Sequence, residues 1–177
     1  MQRRDILKAL GAAAALAVLP EHEALAAWAR VGAAHSLAGT LSDDQLALIG
    51  AIADTIIPRT DTPSATDVKV PAFIDVIVSE NYTDNQRTAF VNALPQLETA
   101  LRGADGTSFV AMDAEHRAVA LGNVERASRQ PQPNATYWRL KGLVIHGYFT
   151  SESVAKQVLH YNMMPGHYNG AARVRGS

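Results

Sequence analysis

Cysteine is absent from this 177-residue chain, which removes disulfides as a source of stability. The same absence excludes CxxCH haem attachment, cysteine-ligated iron–sulfur clusters and a thiolate nucleophile. Also missing are G-x-G-x-x-G, G-x-x-x-x-G-K-[ST], H-E-x-x-H and G-x-S-x-G. No dinucleotide, phosphate, zinc-protease or serine-hydrolase loop is therefore legible. Neither sign of charge is in excess: 16 Lys and Arg stand against 17 Asp and Glu, a formal net charge of -1. A near-neutral chain offers no electrostatic footprint for nucleic acid or an anionic membrane surface, so nucleic acid is not an expected partner. Alternating strand patterns and internal repeats are lacking too.

What is present begins with MQRRDILK. Arg3 and Arg4 are followed by Ile6, Leu7 and Lys8, then by an apolar run to about Leu19 and small residues at Ala24 and Ala26. A basic n-region, an apolar h-region and an A-x-A arrangement form an export signal, and the paired arginines specify the twin-arginine route. The apolar run is shorter than the ~20 residues that span a bilayer. The chain accordingly divides into a signal peptide over 1–26, a weakly ordered Ala/Gly-rich arm over 27–40 and a helical domain over 41–177, with cleavage after Ala26 or slightly later after Ala29. The domain is one ordinary unit that can bury a core.

Within that domain the sequence predicts an all-α bundle of about five to six short helices. Ser42-Asp43-Asp44-Gln45 has capping-box form, and Leu46, Ile49, Ile52, Ala53, Ile56 and Ile57 then recur at helical spacing up to Pro58. RTDTPSATDVKV reads as a loop, with Asp54, Asp61, Asp67 and Asp75 serving caps and turns. Pro71 suits the first position of a second helix, whose apolar face is Phe73, Ile74, Ile77 and Val78. Thr83-Asp84-Asn85-Gln86 opens a third helix through Phe90, Leu94, Leu97 and Leu101, and Pro95 within it predicts a kink or break near Leu94. A fourth helix from about Asp113 partly buries Val119, Leu121 and Val124. Asn134 caps a fifth, TYWRLKGLVIHGYF, and Ser151 caps a sixth through Val154, Val158 and Leu159.

Six of the eleven aromatic residues lie from Tyr137 onward. Core packing is the plain reading of Trp138, Leu143 and Phe149. The non-periodic tail with Met163, Met164, Pro165, His167 and Tyr168 suits partner docking equally, because Met adapts to contacts and Tyr offers a large apolar area with a polar tip. The six histidines include no H-x-x-x-H pair, so spacing argues against a metal site.

These segments resemble a known family. LSDDQLALIGAIADTIIPRTDTPSATDVKVPAFID and YWRLKGLVIHGYFTSESVAKQVLHYNMMPGHYNG, behind a twin-arginine leader, are similar to the gluconate 2-dehydrogenase subunit 3 family. The middle, from about Asn92 to Pro133, matches only in its helical pattern. The resemblance implies a small gamma subunit of an FAD-dependent (GMC-type) sugar, polyol or sugar-acid dehydrogenase. The FAD then belongs to the large subunit, a multihaem cytochrome c subunit often accepts the electrons, and the small subunit supplies the signal for its leaderless partner. It further implies work with the twin-arginine translocase, a periplasmic location at the inner membrane, no directly bound cofactor and no catalytic residue in this chain. The docking candidates are Tyr148, Phe149, Tyr161, Met164, Pro165, Gly166 and Tyr168. Two alternatives stay open on sequence alone: a free-standing periplasmic helical binding or structural protein, and an enzyme built on His146 or His116 with a carboxylate.

Overall fold

The computed structural model describes residues 21–32, 39–127 and 135–161. Among these residues the fold is all-α, with seven helices and one 3-10 turn and no strand. The helices are α1 Glu21–Gly32, α2 Asp43–Ile56, α3 Val70–Glu80, α4 Asp84–Leu101, α5 Ala114–Ala127, α6 Ala135–Thr150 and α7 Glu152–Gln157, with the 3-10 turn at Phe109–Ala111. Helices α2 to α7 are the six expected from sequence, and Asn134 lies outside the described residues.

Both capping boxes form. Ser42 and Gln45 satisfy each other's backbone N–H groups at the start of α2, and Thr83 and Gln86 do the same for α4. Each box fills donors that helix geometry leaves open. The start of α3 is different. Lys69 adopts the left-handed conformation with φ 62 and caps without its side chain, and Pro71 sits in the first turn.

Helix α3 lies at the centre. It packs against α1, α2 and α6, while α6 also meets α2, α4 and α7. Phe73, Ile74, Ile77 and Val78 of α3 are fully buried, with Ile49 and Ile52 from α2, Leu97 and Leu101 from α4, and Leu140 and Val144 from α6. Removing these branched and aromatic side chains from water supplies the main driving force for the bundle.

Three expectations are corrected. Residues 27–32, assigned to a weakly ordered arm, form the second half of α1. The reason is spacing: Ala24, Ala27, Trp28 and Val31 recur at three and four residues and meet the core, a narrow apolar stripe built largely from alanine. Of the kink or break expected at Pro95, the break does not occur, since the helix runs unbroken from Asp84 to Leu101. Leu94, Leu97 and Leu101 are buried on one face, and that shared burial outweighs the single backbone bond lost at Pro95. Val119 is 57% exposed rather than partly buried, and α5 buries only Leu121 and Val124.

Candidate partner-docking face

The loop between α2 and α3 is more organised than its composition implies. Asp54, in the last turn of α2, accepts from the Thr66 backbone N–H at 2.8 Å and from the Thr66 hydroxyl at 2.6 Å. Asp67 accepts from the Ser64 backbone N–H at 2.8 Å and pairs with Arg59. The Ser64 backbone bond, together with the Arg59 guanidinium, holds the Asp67 carboxyl below its ordinary range. Ala65 and Val68 are thereby turned inward and buried. Asp75 accepts from the Leu41 backbone N–H at 3.0 Å and fixes the chain entering α2. Asp67 thus serves a local turn as expected, whereas Asp54 and Asp75 hold backbone N–H groups 12 and 34 residues away and tie distant segments together.

The end of α6 closes onto this loop. The Tyr148 hydroxyl donates to the Pro63 carbonyl at 2.9 Å, across 85 residues of sequence. That bond joins the D-T-I-I-P/T-D-T-P segment to the G-Y-F-T-S-E segment, so the two most specific parts of the chain form one structural unit. Tyr148 is 3% exposed. Its ring therefore belongs to the interior and offers no docking surface, a correction to its place among the candidates.

Phe149 moves the opposite way. It is 49% exposed, so it is not the core residue its apolar character implied. Its ring stands edge-on to Tyr148 at 5.3 Å with an interplanar angle of 89°, an arrangement favoured by aromatic quadrupoles. Ile145, one turn earlier in α6, is also exposed. Residues four apart share a helix face, so Ile145 and Phe149 present one apolar strip. Past α7, Leu159 and Tyr161 are exposed as well, Tyr161 at 63%. The Tyr161 backbone N–H is held by the Ala155 carbonyl at 2.8 Å. Sequence reasoning missed Ile145, although its spacing from Phe149 was the available signal. Met164, Pro165, Gly166 and Tyr168 lie outside the described residues, as do Arg3, Arg4, Ile6, Leu7 and Lys8. Trp138 packs against the core in part and Leu143 is buried.

The two histidines considered for acid–base chemistry are placed apart in the fold. His116, in the first turn of α5, bonds Asp113 through Nδ1 at 2.7 Å, and Asp113 also accepts from the His116 backbone N–H at 2.9 Å. This contact raises the His116 pKa, and the same bonds lower that of Asp113. The pair lines a cleft of about 690 Å³ with Arg102, Asp105, Thr107 and Asn123. His146 sits on α6, its ring 6.3 Å from that of Phe73. Among the described residues no group of three His, Asp or Glu side chains is placed to hold a metal ion. No helix among them is long and apolar enough to cross a membrane.

Comparison with known families gives two matches. The model of the family described as Gluconate 2-dehydrogenase subunit 3 matches residues 43–166, which include α2 to α7 and well over half of the chain. That described as TAT (twin-arginine translocation) pathway signal sequence matches residues 1–20. No curated protein and no solved structure matches.

Proposed function

Because the chain belongs to the gluconate 2-dehydrogenase subunit 3 family, we propose that it is the non-catalytic small subunit that carries a leaderless flavoprotein partner through the twin-arginine route and stabilises it afterwards. At the coarser level, family and signal make the chain an accessory subunit of a dehydrogenase complex exported across the cytoplasmic membrane to the periplasm. The partner in this proposal is the large subunit of an FAD-dependent (GMC-type) sugar, polyol or sugar-acid dehydrogenase. FAD resides in that subunit, a multihaem cytochrome c takes the electrons, and the complex holds the chain at the inner membrane.

One observation carries the reading: an export signal for folded cargo and a dehydrogenase-subunit domain occupy the same chain. A route that moves folded proteins lets one signal serve two polypeptides, provided that they assemble first. The exposed strip of Ile145 and Phe149, with Leu159 and Tyr161 beyond it, is the surface on which such assembly would rest. Aromatic anchors of this kind dominate interface energetics.

The test is co-expression of the C-terminally tagged chain with the leaderless flavoprotein encoded nearest to it, followed by purification from the periplasm. Flavin absorbance is expected with the natural leader and not with Arg3→Lys/Arg4→Lys. A colourless, monodisperse protein from the natural leader would overturn the reading.

A further inference from the structure

Helix α1 occupies the boundary between the two matched segments, beyond residue 20 and before residue 43. Its sequence contains the A-x-A of Ala24 and Ala26, the arrangement a signal peptidase reads. Its structure makes that arrangement a poor substrate. Ala24 and Ala27 are 0% and 1% exposed. Trp28 stacks on Phe73 of α3 with centroids 5.0 Å apart and planes 22° from parallel. The Trp28 indole N–H donates to the Thr150 hydroxyl at the end of α6, 3.1 Å away, and Arg30 pairs with Glu80 at the end of α3. The helix is thus tied to two central elements by packing, stacking, a hydrogen bond and an ion pair.

A peptidase must bind its substrate as extended, accessible backbone, so cutting between Ala26 and Ala27 requires α1 to leave the core and unwind, a local opening with its own free-energy cost. A cut there would also leave six helical residues, fewer than a helix needs to persist by itself. On the twin-arginine reading the chain crosses the membrane already folded, so α1 is docked before any peptidase meets it.

We infer that the exported protein keeps Glu21–Gly32 as part of its fold, and that its N-terminus lies at Glu21 or upstream of it, with the sites after Ala26 and Ala29 protected by the docking of α1. Trp28 is the residue on which that protection turns, since it makes both the stack on α3 and the hydrogen bond to α6. This inference rests on the export reading above.

The experiment maps the N-terminus of the full chain, expressed with its own leader and its flavoprotein partner, by intact mass and terminal peptide sequencing of the periplasmic and membrane fractions. A terminus at Glu21 or upstream is expected, and one within α1, such as Ala27 or Arg30, overturns the inference. Trp28→Ala leaves Ala24 and Ala26 in place while removing the stack and the hydrogen bond. It is expected to raise the fraction beginning at Ala27 about ten-fold or more, as an opened helix becomes cleavable. No rise overturns the role of docking as the guard. Arg3→Lys/Arg4→Lys separates the two ideas. Undiminished export of that variant refutes the twin-arginine reading, whereas blocked export combined with a wild-type terminus at Ala27 refutes only the retention of α1.

Discussion

Gly147 has no room for a methyl group, because a Cβ built there would lie 2.7 Å from Cδ1 of Phe73. Helix propensity favours Ala over Gly by about 1 kcal/mol, while overpacking a core costs about 1–3 kcal/mol. Phe73 is fully buried and stacked on Trp28, so it cannot move aside cheaply. The clash wins, and Gly147→Ala is expected to destabilise the protein by about 1 kcal/mol, the middle of the range those two figures leave, seen as a lower thermal midpoint in calorimetry. His116 tests electrostatics at the same scale. Its raised pKa makes the protonated ring's contribution full below the ordinary value of 6.5 and lost as pH rises through the folded value. The lowered pKa of Asp113 makes its contribution full above 3.8 and lost as pH falls through its own folded value. An NMR titration of His116 should therefore show a midpoint above 6.5 that moves down in Asp113→Asn. Because both groups are exposed, the stability change should be small. For docking, Phe149→Ala and Tyr161→Ala are each expected to weaken binding of the flavoprotein by about 2 kcal/mol, measured by titration calorimetry with circular dichroism unchanged. Unaltered affinity in both would remove this surface from the proposed interface.

Helix α4 opens on a capping box and carries an interior proline. Thr83→Ala deletes the side-chain acceptor for the Gln86 backbone N–H and should cost about 1 kcal/mol. Pro95 is exposed, so replacing it disturbs no packing. Pro95→Ala restores a backbone donor and removes the clash with the preceding turn, worth about 3 kcal/mol in a helix interior, against about 1 kcal/mol from the freer unfolded chain. A gain of about 2 kcal/mol in urea denaturation is expected. Capping boxes, apolar spacing and Pro71 made α2, α3 and α4 legible because each signal acts within a few residues. Helix α1 was illegible for the opposite reason. Its buried stripe is mostly alanine, which resembles the small residues of a cleavage region and buries little area unless α3 is already there to receive it. The break at Pro95 did not form because a local rule was set against three leucines whose burial depends on distant partners.

For the whole molecule, the central position of α3 has a consequence for export. Phe73 touches α1 through Trp28 and meets α6 at Gly147 and His146, so α1 docks on a surface that α3 and α6 build together. Phe73→Ala should therefore loosen α1 as well as the core, detectable as faster amide exchange over 21–32 than over α2. The amino-acid sequence by itself determined the all-α class, the six helices from Asp43 onward, the export signal and the family, since periodicity, caps and motif spacing are properties of neighbouring residues. Only the tertiary structure decided that Tyr148 is internal and Phe149 external, although they are adjacent. It also decided that Ala24 to Val31 are part of the fold. Those outcomes depend on which surface a side chain meets, and that surface is supplied by residues up to 122 positions away, as in the bond from Trp28 to Thr150.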